Sequence, residues 1–455
     1  MEGRRSRAGR SGGSGSARRT EGGAWGGGRR RRAPARAAVA ISVSLLAALL
    51  VACPNTVAPP ATITVDGVVL GIDGVPLAGV LAHAQGELTT TGADGAFRLE
   101  GISTPYTLTL GSGGTEGWVH AYEGLTATAP LLVPTGPALD GYTAGIQGAL
   151  LGIGALPDDE LVSVGVEGTS APVLGYGGAT GSGASYGGVA FWRTPGTQAP
   201  ARVHALRIQV DAQGSPLAYF GYDVRDVMLV DGAITTADVQ LNLPVADARL
   251  EGTVTVASGG VATGTRVLAR FGASYALPFY GGPAATVLSL PAPDVGDGSV
   301  VVVAEAGYPH GTTLAWTSVP VGPAFAFEAP TPPHLLAPAP NAAGVTAATE
   351  FRAEGGPAGG RLFVWYPVAA SDGPRLALTT AADTARIPDV TPLGLTLVAG
   401  GRYEWRVHAL AAENYEAATS VPAVYGAIFM FGAVGAIPQD GAIASSTVRT
   451  MTLAP

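Results

Sequence analysis

Three observations in the sequence predict an all-β protein built of several tandem sandwich domains. Helical periodicity is nearly absent: apart from a weak Ala/Glu patch near Ala409–Ala418, no stretch keeps apolar residues at three-and-four spacing long enough for a helix. The 67 glycines and 35 prolines punctuate short runs rich in Val, Leu, Thr and Tyr, the pattern of many turns joining many strands. At 455 residues the chain exceeds what one hydrophobic core organises, which predicts roughly two to four domains.

The first 52 residues stand apart from the rest. Residues 1–36 are rich in Arg, Gly and Ser and carry eleven of the 26 basic residues, and Ala37–Ala52 then runs sixteen residues without a charge. A positive stretch followed by an apolar one is the layout of an export signal, and sixteen residues is short for a membrane-spanning helix, which needs about 20. The run ends Leu50-Val51-Ala52-Cys53, and Cys53 is the only cysteine in the chain. This resembles the bacterial lipobox, and the resemblance implies cleavage between Ala52 and Cys53, lipid on the Cys53 thiol, and a further acyl chain on its new amino group. Two or three such chains give stable anchoring where one is marginal. Pro54 stands where the family's inner-membrane retention signal would place Asp, so the resemblance implies a cell-envelope protein on the outer membrane. Both the general and the twin-arginine export routes stay open.

Removing the leader changes the charge. The formal −8 of the whole chain becomes −17 from Cys53 onward, where 15 arginines face 32 carboxylates and no lysine occurs. An acidic chain without a basic stripe excludes a nucleic-acid partner. A single cysteine excludes an internal disulfide and any multi-cysteine metal site.

Residues 53–61 form a proline-rich tether, and the domains follow it. Over 62–136, alternation around Val65-Asp66-Gly67-Val68 is followed by Gly74-Val75-Pro76-Leu77-Ala78-Gly79-Val80 and by Thr91-Gly92-Ala93-Asp94-Gly95-Ala96-Phe97-Arg98-Leu99. Asp-Gly between alternating runs is a hairpin signal. These three spaced elements, in this order, resemble the carboxypeptidase regulatory-like domain, a prealbumin-type β-sandwich whose members are accessory modules without catalytic residues of their own. Diluted echoes of the opening strand at Gly145–Ala149 and Arg249–Val254, and of Gly183-Ala184-Ser185-Tyr186 at Gly272-Ala273-Ser274-Tyr275, predict further sandwiches at 143–246 and 247–328. After the linker Ala329-Pro330-Thr331-Pro332-Pro333, residues 334–455 place Trp365 ahead of a strand reading Tyr403-Glu404-Trp405-Arg406-Val407. That pattern resembles a fibronectin type III domain, an immunoglobulin-like sandwich, with Tyr403, Trp405 and Val407 inward at the period of two that a half-buried strand requires. Tyr425–Ile437 and Thr447–Leu453 would supply closing strands.

Candidate sites are few. Gly183-Ala184-Ser185-Tyr186-Gly187 matches the nucleophile-elbow pattern, but that chemistry needs a strand-to-helix turn and no helix signal follows it. The histidines at 83, 120, 204, 310, 334 and 408 are scattered, with no metal-motif spacing. Asp158, Asp159 and Glu160, and Asp294 with Asp297, could offer oxygen ligands to calcium, although acidic residues also favour solvated turns. The Gly/Ser-rich stretch Gly175–Tyr186, leading to Phe191-Trp192, has a binding-loop composition with Tyr176, Tyr186 and Trp192 as contact residues; the competing expectation is a connection whose aromatics are tucked onto the domain. No cofactor and no catalytic residue is expected. The sequence reads as a lipid-anchored, non-enzymatic scaffold for a protein or glycan partner, with a component of a glycan- or peptide-degrading system and a calcium-stiffened adhesin as alternatives.

Overall fold

The structure, a computed structural model, describes residues 61–72, 74–113, 117–136, 141–170, 173–180, 183–193, 196–271, 275–282, 286–295, 299–420 and 440–455. The leader with Ala52 and Cys53, the tether to residue 60, the echo at 272–274, Asp297 and the tail stretch Tyr425–Ile437 lie outside the described residues. No helix among the described residues is long and apolar enough to cross a membrane.

The first lobe contains β1 (Thr62–Val69), β2 (Leu81–Ala84), β3 (Glu87–Thr90), β4 (Ala96–Ser103), β5 (Tyr106–Ser112), β6 (Trp118–Leu125) and β7 (Leu131–Leu132). The sheet β4-β1-β7 faces the run β6-β5-β2-β3 across a core that includes Val65, Phe97, Leu108, Leu110 and Tyr122. The Asp94-Gly95 turn does not close the expected hairpin, since β3 pairs with β2 and β4 with β1 in the facing sheet; it carries the chain between the two sheets with Gly95 alone at positive φ (+73°), where an added Cβ would lie 2.5 Å from the Val69 carbonyl oxygen, so only glycine fits. Asp94 instead accepts the Ala96 N–H at 3.1 Å and keeps ordinary backbone geometry. Buried Thr91 accepts the Val80 N–H and donates to the Leu77 carbonyl, fixing the turn before β2.

The second lobe contains β8 (Tyr142–Ala149), β9 (Glu160–Gly168), β10 (Val173–Thr180), β11 (Ser185–Trp192), β12 (Gln198–Val210), β13 (Pro216–Val230) and β14 (Ile234–Thr236). Its two layers are halves of one sheet ordered β13-β12-β9-β10-β11-β8-β14. Residues 231–233 join the two edge strands, so the sheet curls around its own core of Val162, Val164, Val203, Leu229 and Val239.

The third lobe contains β15 (Ala246–Val256), β16 (Val261–Phe271), β17 (Tyr275–Gly282), β18 (Val287–Asp294), β19 (Ser299–Tyr308), β20 (Gly311–Pro320) and β21 (Phe325–Ala329). The sheet β18-β15-β21 packs over β17-β16-β19-β20, and the core between them also takes Leu206, Ile208 and Tyr219 from the back of the second lobe.

The fourth lobe contains β22 (His334–Ala337), β23 (Ala342–Val345), β24 (Phe351–Glu354), β25 (Gly359–Pro367), β26 (Arg375–Thr380), β27 (Thr384–Ala385), β28 (Arg402–Ala411), the one-turn helix α1 (Tyr415–Ala418), β29 (Asp440–Ser446) and β30 (Arg449–Leu453). The Ala/Glu patch of the sequence thus divides between the end of β28 and α1. Trp365 and Trp405 are cross-strand partners, and Phe351 from the facing sheet β22-β24-β27 meets both edge-on, with ring centroids 5.1 and 4.9 Å away. Tyr403, Trp405 and Val407 are fully buried in the same core.

The β-sandwiches are joined to one another through their sheets. One 14-stranded sheet runs through the third, fourth and first lobes along the path β17-β16-β19-β20-β29-β28-β25-β26-β6-β5-β2-β3. Strand β29 pairs antiparallel with β20 on one side and β28 on the other, and β26 pairs parallel with β6, Arg375 opposite Trp118 through Thr379 opposite Tyr122. In these three lobes an edge strand left open by one sheet is completed by pairing with an edge strand of another. Packing follows the pairing: Val119 and Ala121 of β6 enter the core of the fourth lobe, while Trp118 and Tyr122 of the same strand fill the first. On the opposite face of the shared sheet, Val301, Val303 and Trp316 join Leu362, Val364 and Ile443 in one cluster. Glu416 of α1 reinforces the seam by accepting the N–H groups of Thr126 and Ala127.

Candidate functional site

The Gly/Ser-rich stretch proposed as a contact loop contributes to two paired β-strands. Strands β10 and β11 pair antiparallel with Tyr176 opposite Val189 and Gly177 opposite Gly188. Glycine is demanded by close approach within the sheet: a Cβ on Gly177 would sit 2.7 Å from the Cα of Gly188, and one on Gly148 would sit 2.1 Å from the Ala237 carbonyl oxygen. Tyr186 and Trp192 therefore do not form a contact surface. Tyr186 is buried and donates its hydroxyl to Ala237 O at 2.5 Å, and Trp192 is buried and donates its indole N–H to Gly196 O at 2.7 Å. Tyr176, 46% exposed, is the member of the set that stays on the surface. We expect Tyr186→Phe to cost about 1 kcal/mol of unfolding free energy for the lost hydrogen bond. Tyr176→Ala is expected to stay within about 0.5 kcal/mol, both read by urea denaturation.

Ser185 is the first residue of β11 and pairs opposite Ala149, so strand follows it where a nucleophile elbow requires helix. The acidic turn is divided as well. Glu160 is buried and its carboxylate takes the Arg207 guanidinium at 2.5 Å, Asp159 accepts from Gln209 at 2.8 Å, and Asp158 points to solvent. An arginine already neutralising Glu160 competes with a cation for that carboxylate. Among the described residues, no three His, Cys, Asp or Glu side chains converge as a metal site. Asp294 is exposed at the end of β18.

Sequence reading missed two polar arrangements made by residues distant in the chain. In the first, His204 on β12 lies between Glu167 on β9 and Tyr222 on β13, its Nε2 3.0 Å from the carboxylate and its Nδ1 2.6 Å from the phenol oxygen. Burial lowers the His204 pKa against the opposing pull of Glu167, and burial pushes Tyr222 up to about 12. Arg202, 3.9 Å from Glu167 and 3.2 Å from Asp226, completes a network on the side of the sheet away from the lobe's own core. In the second, His120 of β6 accepts the Thr135 N–H on Nδ1 at 3.0 Å, which leaves Nε2 to carry the proton and donate to Thr379 Oγ1 of β26 at 2.7 Å. That bond crosses the seam between the first and fourth lobes. Burial holds His120 neutral, with a pKa lowered to about 3.

The same seam contains a cleft of about 400 Å³. Its floor is the face of β5, β6 and β26 that carries Ala121 and Leu378, and its far wall is the chain from Ala382 to Asp389. Asp389 is held ionised below the usual carboxylate range by the Thr391 hydroxyl and N–H, which donate to its Oδ1 at 2.7 and 3.0 Å.

No known protein family and no curated protein matches this chain. Among solved structures, it is similar to the Bacillus anthracis TIE protein, at 11% identity and a TM-score of 0.16 over 59% of this chain, and it spans half of that chain's length. It is also similar to a variant of BcpA, the major pilin subunit of Bacillus cereus, at 8% identity and a TM-score of 0.14 over 59% of this chain and 99% of that one. The strands, sheets and cores place the protein among all-β proteins of several sheets.

Proposed function

We propose that this protein is a lipid-anchored component of the cell envelope that serves as a non-enzymatic scaffold for a protein or glycan partner. The observation that carries the reading is the sheet shared by three lobes, because backbone pairing and common cores convert separate modules into one stiff body suited to holding a surface in place. The anchor rests on the sequence: the only cysteine stands directly after an apolar run reading Leu50-Val51-Ala52. The acidic charge beyond it supports a partner that is neither nucleic acid nor an anionic lipid surface.

Replacing Cys53 with Ser tests the anchor. The parent protein is expected in the membrane fraction and labelled by fatty acid, and the Cys53→Ser chain is expected to carry no label and to leave that fraction. A Cys53→Ser chain that is exported and still sediments with membranes would remove lipid anchoring from the proposal.

A further inference from the structure

Two histidines from different lobes meet where the fourth lobe begins. His310 sits in the turn between β19 and β20, which closes where Tyr308 pairs with Gly311. Its backbone is pinned: the His310 carbonyl accepts the Thr447 N–H at 2.9 Å, and a Cβ on Gly311 would lie 3.0 Å from Pro332 Cβ. His334 opens β22 and pairs opposite Glu354 of β24. The two imidazole rings lie 5.6 Å apart between centroids, at an interplanar angle of 65°. A metal about 2.0–2.1 Å from a ring nitrogen lies roughly 3.2 Å from that ring's centroid, so two rings sharing one ion at tetrahedral to trigonal angles have centroids roughly 5.2–5.6 Å apart. The observed separation fits a shared ion. The remaining ring nitrogens also have partners. His310 Nε2 lies 3.2 Å from the Pro332 carbonyl oxygen and donates to it, which leaves the lone pair on Nδ1. His334 Nδ1 lies 3.8 Å from Glu354 Oε1, which leaves Nε2 as the ligand atom.

We propose that His310 and His334 together bind one divalent transition-metal ion of the zinc, copper and nickel class, through His310 Nδ1 and His334 Nε2. Glu354 stands behind His334 as the carboxylate that takes the other ring N–H of a metal-bound histidine, fixing its tautomer and raising its basicity. Imidazole suits these ions, whereas calcium and magnesium require oxygen ligands. Two protein ligands leave the other coordination positions to water, in keeping with the absence of a third converging His, Cys, Asp or Glu among the described residues. His310 belongs to the third lobe and His334 to the fourth, so the ion ties the two lobes across the linker Ala329–Pro333. The inference goes beyond the scaffold reading and does not depend on it.

The test is calorimetric titration of the full Cys53→Ser chain, free of any histidine tag, with nickel, copper and zinc chlorides; the substitution removes the only thiol. One ion per chain is expected, with copper the tightest and calcium not binding. His310→Asn and His334→Asn are each expected to weaken nickel more than tenfold, and Glu354→Gln about tenfold. Saturating nickel is expected to raise the melting temperature, because the native state alone brings ligands from two lobes together, and neither histidine variant should show the rise. Melting temperatures without added metal that stay within a few degrees of the unsubstituted chain show that the variants are folded. Electron paramagnetic resonance of the copper-loaded chain should show coupling to two imidazole nitrogens, and each histidine variant coupling to one. Absence of binding at millimolar nickel, or equal affinity in the presence and absence of both histidines, overturns the site. Loss of affinity with only one of the two substitutions assigns the ion to a single histidine and overturns the shared site as well. None of these results bears on the Cys53 fractionation, so failure here is distinct from failure of the anchor.

Discussion

Placing proline at Ala444 is expected to unfold the third and fourth lobes together. Ala444 is fully buried in β29, opposite Thr313 of β20 on one side and Ala409 of β28 on the other. Proline removes a backbone donor and inserts a ring where two neighbouring strands are in contact, which is why it is confined to sheet edges. A cost of roughly 3 kcal/mol or more is expected, the size of the penalty in a helix interior. The distinctive expectation concerns where that cost is felt. Trp316 on β20 and the pair Trp365 and Trp405 in the fourth lobe lie on opposite sides of the altered strand. Denaturation followed by tryptophan fluorescence in single-tryptophan versions, one keeping Trp316 and one keeping Trp405, should therefore show both midpoints falling by the same amount. If Ala444→Pro lowers one midpoint and leaves the other in place, the lobes fold independently and the shared sheet does not couple them.

What the sequence made legible and what it concealed divide on a physical line. Local chemistry was readable: the Asp94-Gly95 turn, the period of two in Tyr403, Trp405 and Val407, and the proline-rich linker ahead of β22 each act through neighbours a few residues away. Pairing between lobes was not readable, because β6 and β26 meet through backbone groups that every residue carries, some 250 residues apart in the chain. One signal could have found it. Trp118-Val119-His120-Ala121-Tyr122 and Val300-Val301-Val302-Val303-Ala304 are unbroken apolar or buried runs, where a strand wet on one face would alternate. Such runs mark strands buried on both faces, and these two lie in the shared sheet.

The candidate sites follow the same division. Gly175–Tyr186 reads as a loop because glycine is scarce in strands, yet here it allows β-strands to approach at Gly177 and Gly188 where a side chain would clash. Glu160 reads as an exposed turn residue because its partner Arg207 is on another strand. The cleft at the seam draws its wall from residues 382–389 and its floor from β5, β6 and β26, so no window of sequence contains it.

Acid is expected to loosen the shared sheet before carboxylate protonation dominates, through two histidines. His120 crosses the seam between β6 and β26, and His408 on β28 places Nδ1 2.7 Å from Ser445 Oγ on β29. Both are buried. Desolvation lowers each pKa to about 3, with Arg406 adding to the effect at His408. In the unfolded chain each titrates near 6.5. A folded pKa below the unfolded one means that the unfolded state binds protons first, so the stability these residues contribute is whole above about pH 6.5 and is lost progressively as pH falls toward 3. Within that window each is expected to remove up to about 1.4 kcal/mol per pH unit. Urea midpoints taken from pH 7.5 down to 4.5 should fall steeply for the parent. They should fall less steeply for a His120→Gln, His408→Gln chain, which keeps hydrogen-bonding groups but cannot take up the proton. That double variant should start from a lower stability at pH 7.5, because glutamine does not reproduce the ring contacts of His120 with Tyr122. Parallel pH profiles for the parent and the double variant would show that these two seam histidines are not the source of acid sensitivity.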